Sequence, residues 1–167
     1  MNKIAEKYTD EIQNILAKYP PEEKRSAVMA LLYIAQREDG YVSKDDLKEI
    51  AEILEMSPTE VVSLVGFYSL YHDEQAGKYR IQVCTDLPCA LRGADQFLTD
   101  LCENIGIKVG ETTPDGLVTI EEVKCLAACD KAPMFQVQSG EGLEYHELQS
   151  VESTMALIDS WKKKESK

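Results

Sequence analysis

Long apolar runs are missing from this sequence. Nothing in its 167 residues approaches the ~20 consecutive apolar positions that a helix needs to cross a bilayer. Phosphate-cradling glycine loops are missing too. The nine glycines are scattered one by one, and the single G-x-G, Gly140 to Gly142, reads as a turn. No G-x-G-x-x-G or Walker pattern follows a strand, so nothing is shaped to wrap a dinucleotide pyrophosphate. Positive charge is scarce. Lys and Arg number 18 against 30 Asp and Glu, a formal net charge of −12, which argues against nucleic acid or an anionic lipid surface as partner. The two histidines, His72 and His146, stand apart, and no Ser/His/Asp constellation is visible. The opening segment, MNKIAEKYTDEIQNILAKYP, breaks any apolar core with glutamates, so a signal peptide is not expected. The expectation is a cytoplasmic protein whose cysteines stay reduced unless metallated.

What is present points to a folded chain. Hydrophobic residues make up 44% and charged residues 29%, which separates it from disordered sequences. The length suits one ordinary domain or two small ones. Residues 1–76 read as helices. Ile4, Tyr8, Ile12, Ile15 and Leu16 form one apolar stripe before the Pro20–Pro21 break. A second helix is predicted from Pro21 through Val28, Leu31, Leu32 and Ala35, with Gly40 outside its end. Ser43 with Asp46, and Ser57 with Pro58 and Glu60, carry the signature of helix N-termini.

The period changes at Gly77. Tyr79, Ile81 and Val83 alternate with polar neighbours, which predicts a strand ending on Cys84. Helical spacing returns from about Cys89 to Ile105, with Gly106 as its stop. A turn at PDG leads into a β-rich segment ending at Cys125, MFQVQ and LEYHEL read as a hairpin, and Ser150 caps a final helix. The fold class expected is therefore α+β. A helical bundle over 1–76 precedes a domain over 77–167 whose β-α-β unit and hairpin make a mixed sheet of thioredoxin-like layering.

Four of the five cysteines fall into two close pairs. Cys84 and Cys89 have four residues between them, and Cys125 and Cys129 have three. Each pair follows a predicted strand, and parallel strands bring their C-terminal ends together, so both pairs should meet at one end of the sheet. Three readings follow from spacing alone. C-x4-C with C-x3-C suits an iron–sulfur centre whose pairs each chelate one iron. Structural zinc prefers tighter C-x2-C pairs but takes the same four thiolates, and ordinary cysteines are the third reading. A thiol-disulfide oxidoreductase is disfavoured because no C-x-x-C is present. Cys102 sits on a predicted helix and reads as a small buried thiol. His72 and His146 read as structural or exposed, FYSLY at 67–71 as core and interface surface, Asp130 and Lys131 as a solvated loop, and the glutamate-rich helices as solvated faces.

VCTDLPCALRGADQF, followed by TTPDGLVTIEEVKCLAACDKAPMFQV, closely resembles the thioredoxin-like [2Fe–2S] subunits of respiratory NADH:quinone oxidoreductase (complex I), the E subunits of the bacterial complexes. LLYIAQREDGYVS and VVSLVGFYSLY resemble that family's N-terminal helical region, so the likeness runs from about residue 20 to about 164. The resemblance implies one [2Fe–2S] cluster bound by Cys84, Cys89, Cys125 and Cys129. It also implies docking onto a partner subunit that carries FMN, binds NADH and holds another iron–sulfur cluster. Electrons would come singly from FMN to a cluster lying beside the main chain of clusters. The chain would not be catalytic alone, would not insert in the membrane itself, and would sit on the cytoplasmic side of the membrane through the complex. The equivalent subunit of an NAD-reducing hydrogenase or formate dehydrogenase looks similar. A zinc-stabilised interaction module is the reading from a different class. One departure from the pattern is Ala127, where the family commonly has glycine; a slight backbone adjustment is expected there.

Overall fold

The computed structural model describes residues 3–165, which divide into two compact units between Gln75 and Ala76. The first unit is helical. Its elements are α1 (Lys3–Lys7), α2 (Thr9–Leu16), a 3-10 segment (Pro21–Ala27), α3 (Val28–Asp39), α4 (Lys44–Leu54) and α5 (Pro58–Phe67). Both helix starts read from sequence are present, and each is a full capping box. Ser43 Oγ accepts the Asp46 amide while Asp46 accepts the Ser43 amide, and Ser57 and Glu60 do the same. Each box satisfies donors that a helix start would otherwise leave open.

Two helices differ from the sequence expectation. The stripe from Ile4 to Leu16 is broken at Tyr8, so one predicted helix is two. The helix predicted from Pro21 begins as a 3-10 segment and becomes α-helical only at Val28, because Glu23 departs from helical angles at φ −111°. Apolar spacing is blind to such local breaks, since both sides of the break still point inward. The unit's core gathers Leu31, Leu32, Ile34, Val42, Ile50, Leu54 and Val61. Glu49, expected to be solvated, is buried and accepts the amides of Ile4 and Ala5 at 3.3 and 2.7 Å, which caps α1. The FYSLY segment contributes little to the core. Phe67 is 77% exposed, Tyr68 and Leu70 are exposed, and only Tyr71 turns inward, its hydroxyl donating to the Met29 carbonyl at 2.8 Å. The reason is that α5 ends at Phe67 and Tyr68 is already extended, so the helix's inward stripe stops there.

The second unit is a two-layer α/β sandwich in the order β1 (Tyr79–Cys84), α6 (Leu87–Ala90), α7 (Ala94–Ile105), β2 (Val118–Val123), β3 (Phe135–Ser139), β4 (Gly142–His146) and α8 (Val151–Glu165). The sheet order is β2-β1-β3-β4. β1 and β2 are parallel, and the other neighbours are antiparallel. This is the expected mixed sheet, and the α+β class holds. The parallel pair demands a crossover, which α6 and α7 supply. One face of the sheet, with Tyr79, Ile81, Val83, Ile120, Phe135 and Val137, packs on Phe97, Leu98 and Leu101 of α7 and on Ile158 and Trp161 of α8. Tyr79 stacks on Trp161 with ring centroids 4.2 Å apart. The free edge of β2 is covered by the 110–113 segment, through Gly110 and Thr113 amides donating to Ile120 and Val118 carbonyls.

Gly77 lies against β2 so closely that an added Cβ would stand 2.7–2.9 Å from backbone atoms of Val118 and Thr119. Its own amide donates to Thr119 Oγ1 at 2.6 Å. The helix predicted from Cys89 to Ile105 is interrupted. Gly93, at φ +91°, separates the short α6 from α7, and this break lets Cys89 turn toward the sheet end while α7 lies along the sheet. Ser150 caps α8 as expected, accepting the Ser153 amide at 3.2 Å.

Candidate metal centre

Cys84 is the last residue of β1, and Cys125 follows β2 by two residues. Because these strands are parallel neighbours, with Cys84 opposite Val123, the fold brings the two segments side by side. Cys89 sits in α6 rather than on a loop, and Cys129 opens a single 3-10 turn. Cys84 and Cys89 are buried in a small cluster with Ala94, Ala132 and Met134, against which Leu126, Ala128 and Cys129 pack. Cys125 is exposed. Within that cluster Cys89 lies close to both Cys84 and Cys129.

The electrostatics of these thiols differ. Burial resists ionisation of Cys84, but the backbone amides of Asp86, Leu126 and Cys125 and the Cys89 thiol outweigh it, and the Cys84 thiol sits below its ordinary value. Those amides come from both cysteine loops, so the two loops already converge on one sulfur. Cys89 behaves oppositely. Burial, then the neighbouring Cys84 and Cys129, push its pKa up to about 12. Crowded thiols of this kind cannot all become thiolates without a compensating cation, since like charges in one site raise each other's pKa.

Two αL residues shape the second loop, Cys125 at φ +54° and Ala127 at φ +58°. Ala127 itself takes the conformation that glycine adopts freely. A polar clasp pins the loop bases. Thr85 Oγ1 donates to Glu122 at 2.5 Å, and Lys124 Nζ donates to Thr85 Oγ1 at 2.8 Å and to Glu122 at 2.6 Å. The Lys124 and Thr85 hydrogen bonds hold the Glu122 carboxyl below its ordinary range. Tyr145 on β4 donates its hydroxyl to the Leu126 carbonyl at 3.2 Å. Thr85 and Lys124 adjoin cysteines in sequence and could have been suspected. Glu122 and Tyr145 carried no signal, because their role exists only once β2 and β4 are in place.

The remaining candidates stay apart from this centre. Cys102 is buried on α7 in the main apolar core, and burial raises its pKa. His146 stacks on Phe135 in the hairpin, and His72 exchanges backbone hydrogen bonds with Val42 and the Gln36 side chain. Among the described residues no three or more His, Cys, Asp or Glu close around one point as a single metal ion requires. Cys84, Cys89 and Cys129 share one small cluster, with Cys125 on the adjoining loop. The donor set fits an iron–sulfur centre: sulfur only, with backbone donors already aimed at one of the sulfurs.

The family model of the thioredoxin-like [2Fe–2S] ferredoxins matches residues 12–162. The chain belongs to that family. Subunit 2 of NADH-quinone oxidoreductase from Thermus thermophilus is 39% identical over 156 residues, which cover 93% of this chain and 86% of that protein. The second E subunit of NADH-quinone oxidoreductase from Rhizobium meliloti is 40% identical over 153 residues, covering 92% and 88%. These relatives bear out the resemblance read in the sequence. Among solved structures, the air-oxidized NAD+-reducing [NiFe]-hydrogenase matches with a TM-score of 0.68 at 19% identity. The match covers 82% of this chain but only 23% of the hydrogenase chain, and at that identity it speaks to the fold alone.

Proposed function

We propose that this chain is the electron-transfer subunit of an NADH:quinone oxidoreductase, holding one [2Fe–2S] cluster on Cys84, Cys89, Cys125 and Cys129. In this reading single electrons are exchanged with FMN on an NADH-binding iron–sulfur partner subunit. The observation that carries it is that parallel β1 and β2 bring both cysteine pairs to one end of the sheet, where Cys84, Cys89 and Cys129 share a small cluster. A [2Fe–2S] cluster, when bound, supplies a one-electron redox site. The chain's own residues do the rest. Four thiolates supply negative charge, amides of Asp86, Cys125 and Leu126 stabilise the Cys84 sulfur, and the Thr85–Glu122–Lys124 clasp keeps the two loops in register. Hydride arrives as two electrons together, so a flavin must stand between NADH and a one-electron site. The absence of a phosphate loop in the sequence supports placing that flavin on the partner.

The same reading takes 1–76 and 77–167 as the two domains and puts the protein on the cytoplasmic side of the membrane through its complex. No helix among the described residues is long and apolar enough to cross a membrane. Anaerobically purified protein should be red-brown, with about two irons and two acid-labile sulfides per chain and a spin-half EPR signal after reduction. Stoichiometric zinc without sulfide overturns the assignment in favour of a zinc-stabilised module. Mixed with NADH and a dye acceptor, the chain alone should give no turnover, and co-expression with the flavin subunit should restore it. A second reading is the equivalent subunit of an NAD-reducing hydrogenase, an enzyme with which this chain shares its fold. The subunits that co-purify with the native chain decide between the two.

A further inference from the structure

Register places Cys84, Gln82 and Arg80 on one face of β1, opposite the face that packs on α7 and α8. Thr119 and Glu121 of β2 and Gln136 of β3 lie opposite Arg80 and Gln82 in the ladder and share that face. These side chains form a connected polar network. The Glu121 carboxylate accepts from Arg80 Nη1 and from Gln82 Nε2, the latter at 2.9 Å, and Gln82 Oε1 accepts from Gln136 Nε2 at 2.5 Å. Arg80, Gln82 and Gln136 are only 8%, 2% and 5% exposed. Arg80 Nη2 is buried without a hydrogen-bond partner. An ion pair is costly to bury and is often replaceable by apolar packing without loss of stability. Its position behind Cys84 therefore asks for another reason.

We propose that the Arg80–Glu121 pair sets the reduction potential of the centre held by Cys84, with Arg80 cancelling a carboxylate that would otherwise oppose the added electron. This rests on the four-cysteine reading above. A strand rise of about 3.3 Å per residue puts the Gln82 backbone, with that of Glu121 beside it, roughly 7–8 Å from that of Cys84, and the Arg80 side chain reaches forward to the Glu121 carboxylate. At such distances, in a medium of effective dielectric about 20, an uncompensated unit charge changes the ratio of reduced to oxidised centre on the order of tenfold. Arg80 is buried and the Glu121 side chain is 23% exposed, so salt screens this pair less than it screens fully exposed charges. Because the Arg80 guanidinium is in direct contact with the Glu121 carboxylate, the two charges stand at nearly the same distance from Cys84 and their effects largely cancel. Reduction adds one electron, from dithionite in a titration, with no bond formed or broken.

The test is a redox titration of the complete, cluster-loaded protein followed by visible absorption and EPR. Arg80→Gln exposes the carboxylate and should lower the reduced fraction at a given potential about tenfold, which for one electron is a shift of about 59 mV to more negative values. Glu121→Gln exposes the guanidinium and should shift the potential by a similar amount in the positive direction. The double variant should return to within about threefold of the native ratio. A structural role alone does not produce opposite signs that cancel. Shifts of one sign, or none, in protein with native iron and sulfide content overturn the inference. Where a neutral single variant does not fold, Arg80→Lys and Glu121→Asp keep both charges and must stay within about threefold; a tenfold shift in either also overturns it. Wild-type protein lacking iron and sulfide fails the four-cysteine reading instead, so the two failures are distinguishable.

Discussion

Ala127 is the residue whose replacement tests the cysteine loop most directly. It lies between two proposed ligands with φ +58°, a conformation in which an L-residue's Cβ crowds the following carbonyl at about 1–2 kcal/mol. Ala127→Gly removes that crowding. The gain is reduced because glycine is freer in the unfolded chain, by about 0.4–1 kcal/mol. The net expectation is stabilisation of roughly 0.5–1 kcal/mol, or about 2–8 °C in Tm for a unit of this size. Trp161 makes the measurement clean. It is the only tryptophan and is buried on Tyr79 in the second unit, so its fluorescence reports that unit alone. Urea and thermal unfolding of metal-free protein should show a higher midpoint with an unchanged urea slope. Ala127→Val should move the midpoint the other way, since a β-branched residue fits αL still less well. An Ala127→Gly midpoint equal to or below wild type refutes the reasoning, and with it the claim that this loop is held in αL at a cost.

Three further outcomes are expected. Cys102→Ser should leave the visible spectrum nearly unchanged, because that thiol lies in the α7 core, while Ser at Cys84, Cys89, Cys125 or Cys129 should bleach or distort it; bleaching by Cys102→Ser with a native spectrum for Cys129→Ser contradicts the ligand set. Gly77→Ala should destabilise the second unit by about 1–3 kcal/mol, as overpacking does, because the new methyl meets β2 backbone rather than a flexible side chain; Trp161 fluorescence measures it, and a neutral result counts against the close approach. A fragment of residues 77–167 should fold and take up a reconstituted cluster, since its apolar clusters draw only on residues from Tyr79 onward; an unfolded, colourless fragment shows that the helical unit is needed for that core.

Much of the fold could be read from local pattern, because local pattern is what capping boxes, strand alternation and glycine stops express. Ser43, Ser57 and Ser150 announce helix starts, and Tyr79, Ile81 and Val83 announce a strand with its buried face. The breaks at Tyr8, Glu23 and Gly93 were invisible to periodicity, which measures where side chains point and not whether the backbone is continuous. The four cysteines by themselves left an iron–sulfur centre, structural zinc and ordinary cysteines all open, and family resemblance chose iron and sulfide. Only the tertiary structure decided which atoms surround the sulfurs. Parallel pairing of β1 with β2 carries the amides of Cys125 and Leu126 to Cys84, and the same register sets Arg80, Gln82 and Glu121 in one polar network behind it. Residues about forty positions apart acquire that relation only when strand register places them opposite one another, and register depends on the whole sheet rather than on any one segment.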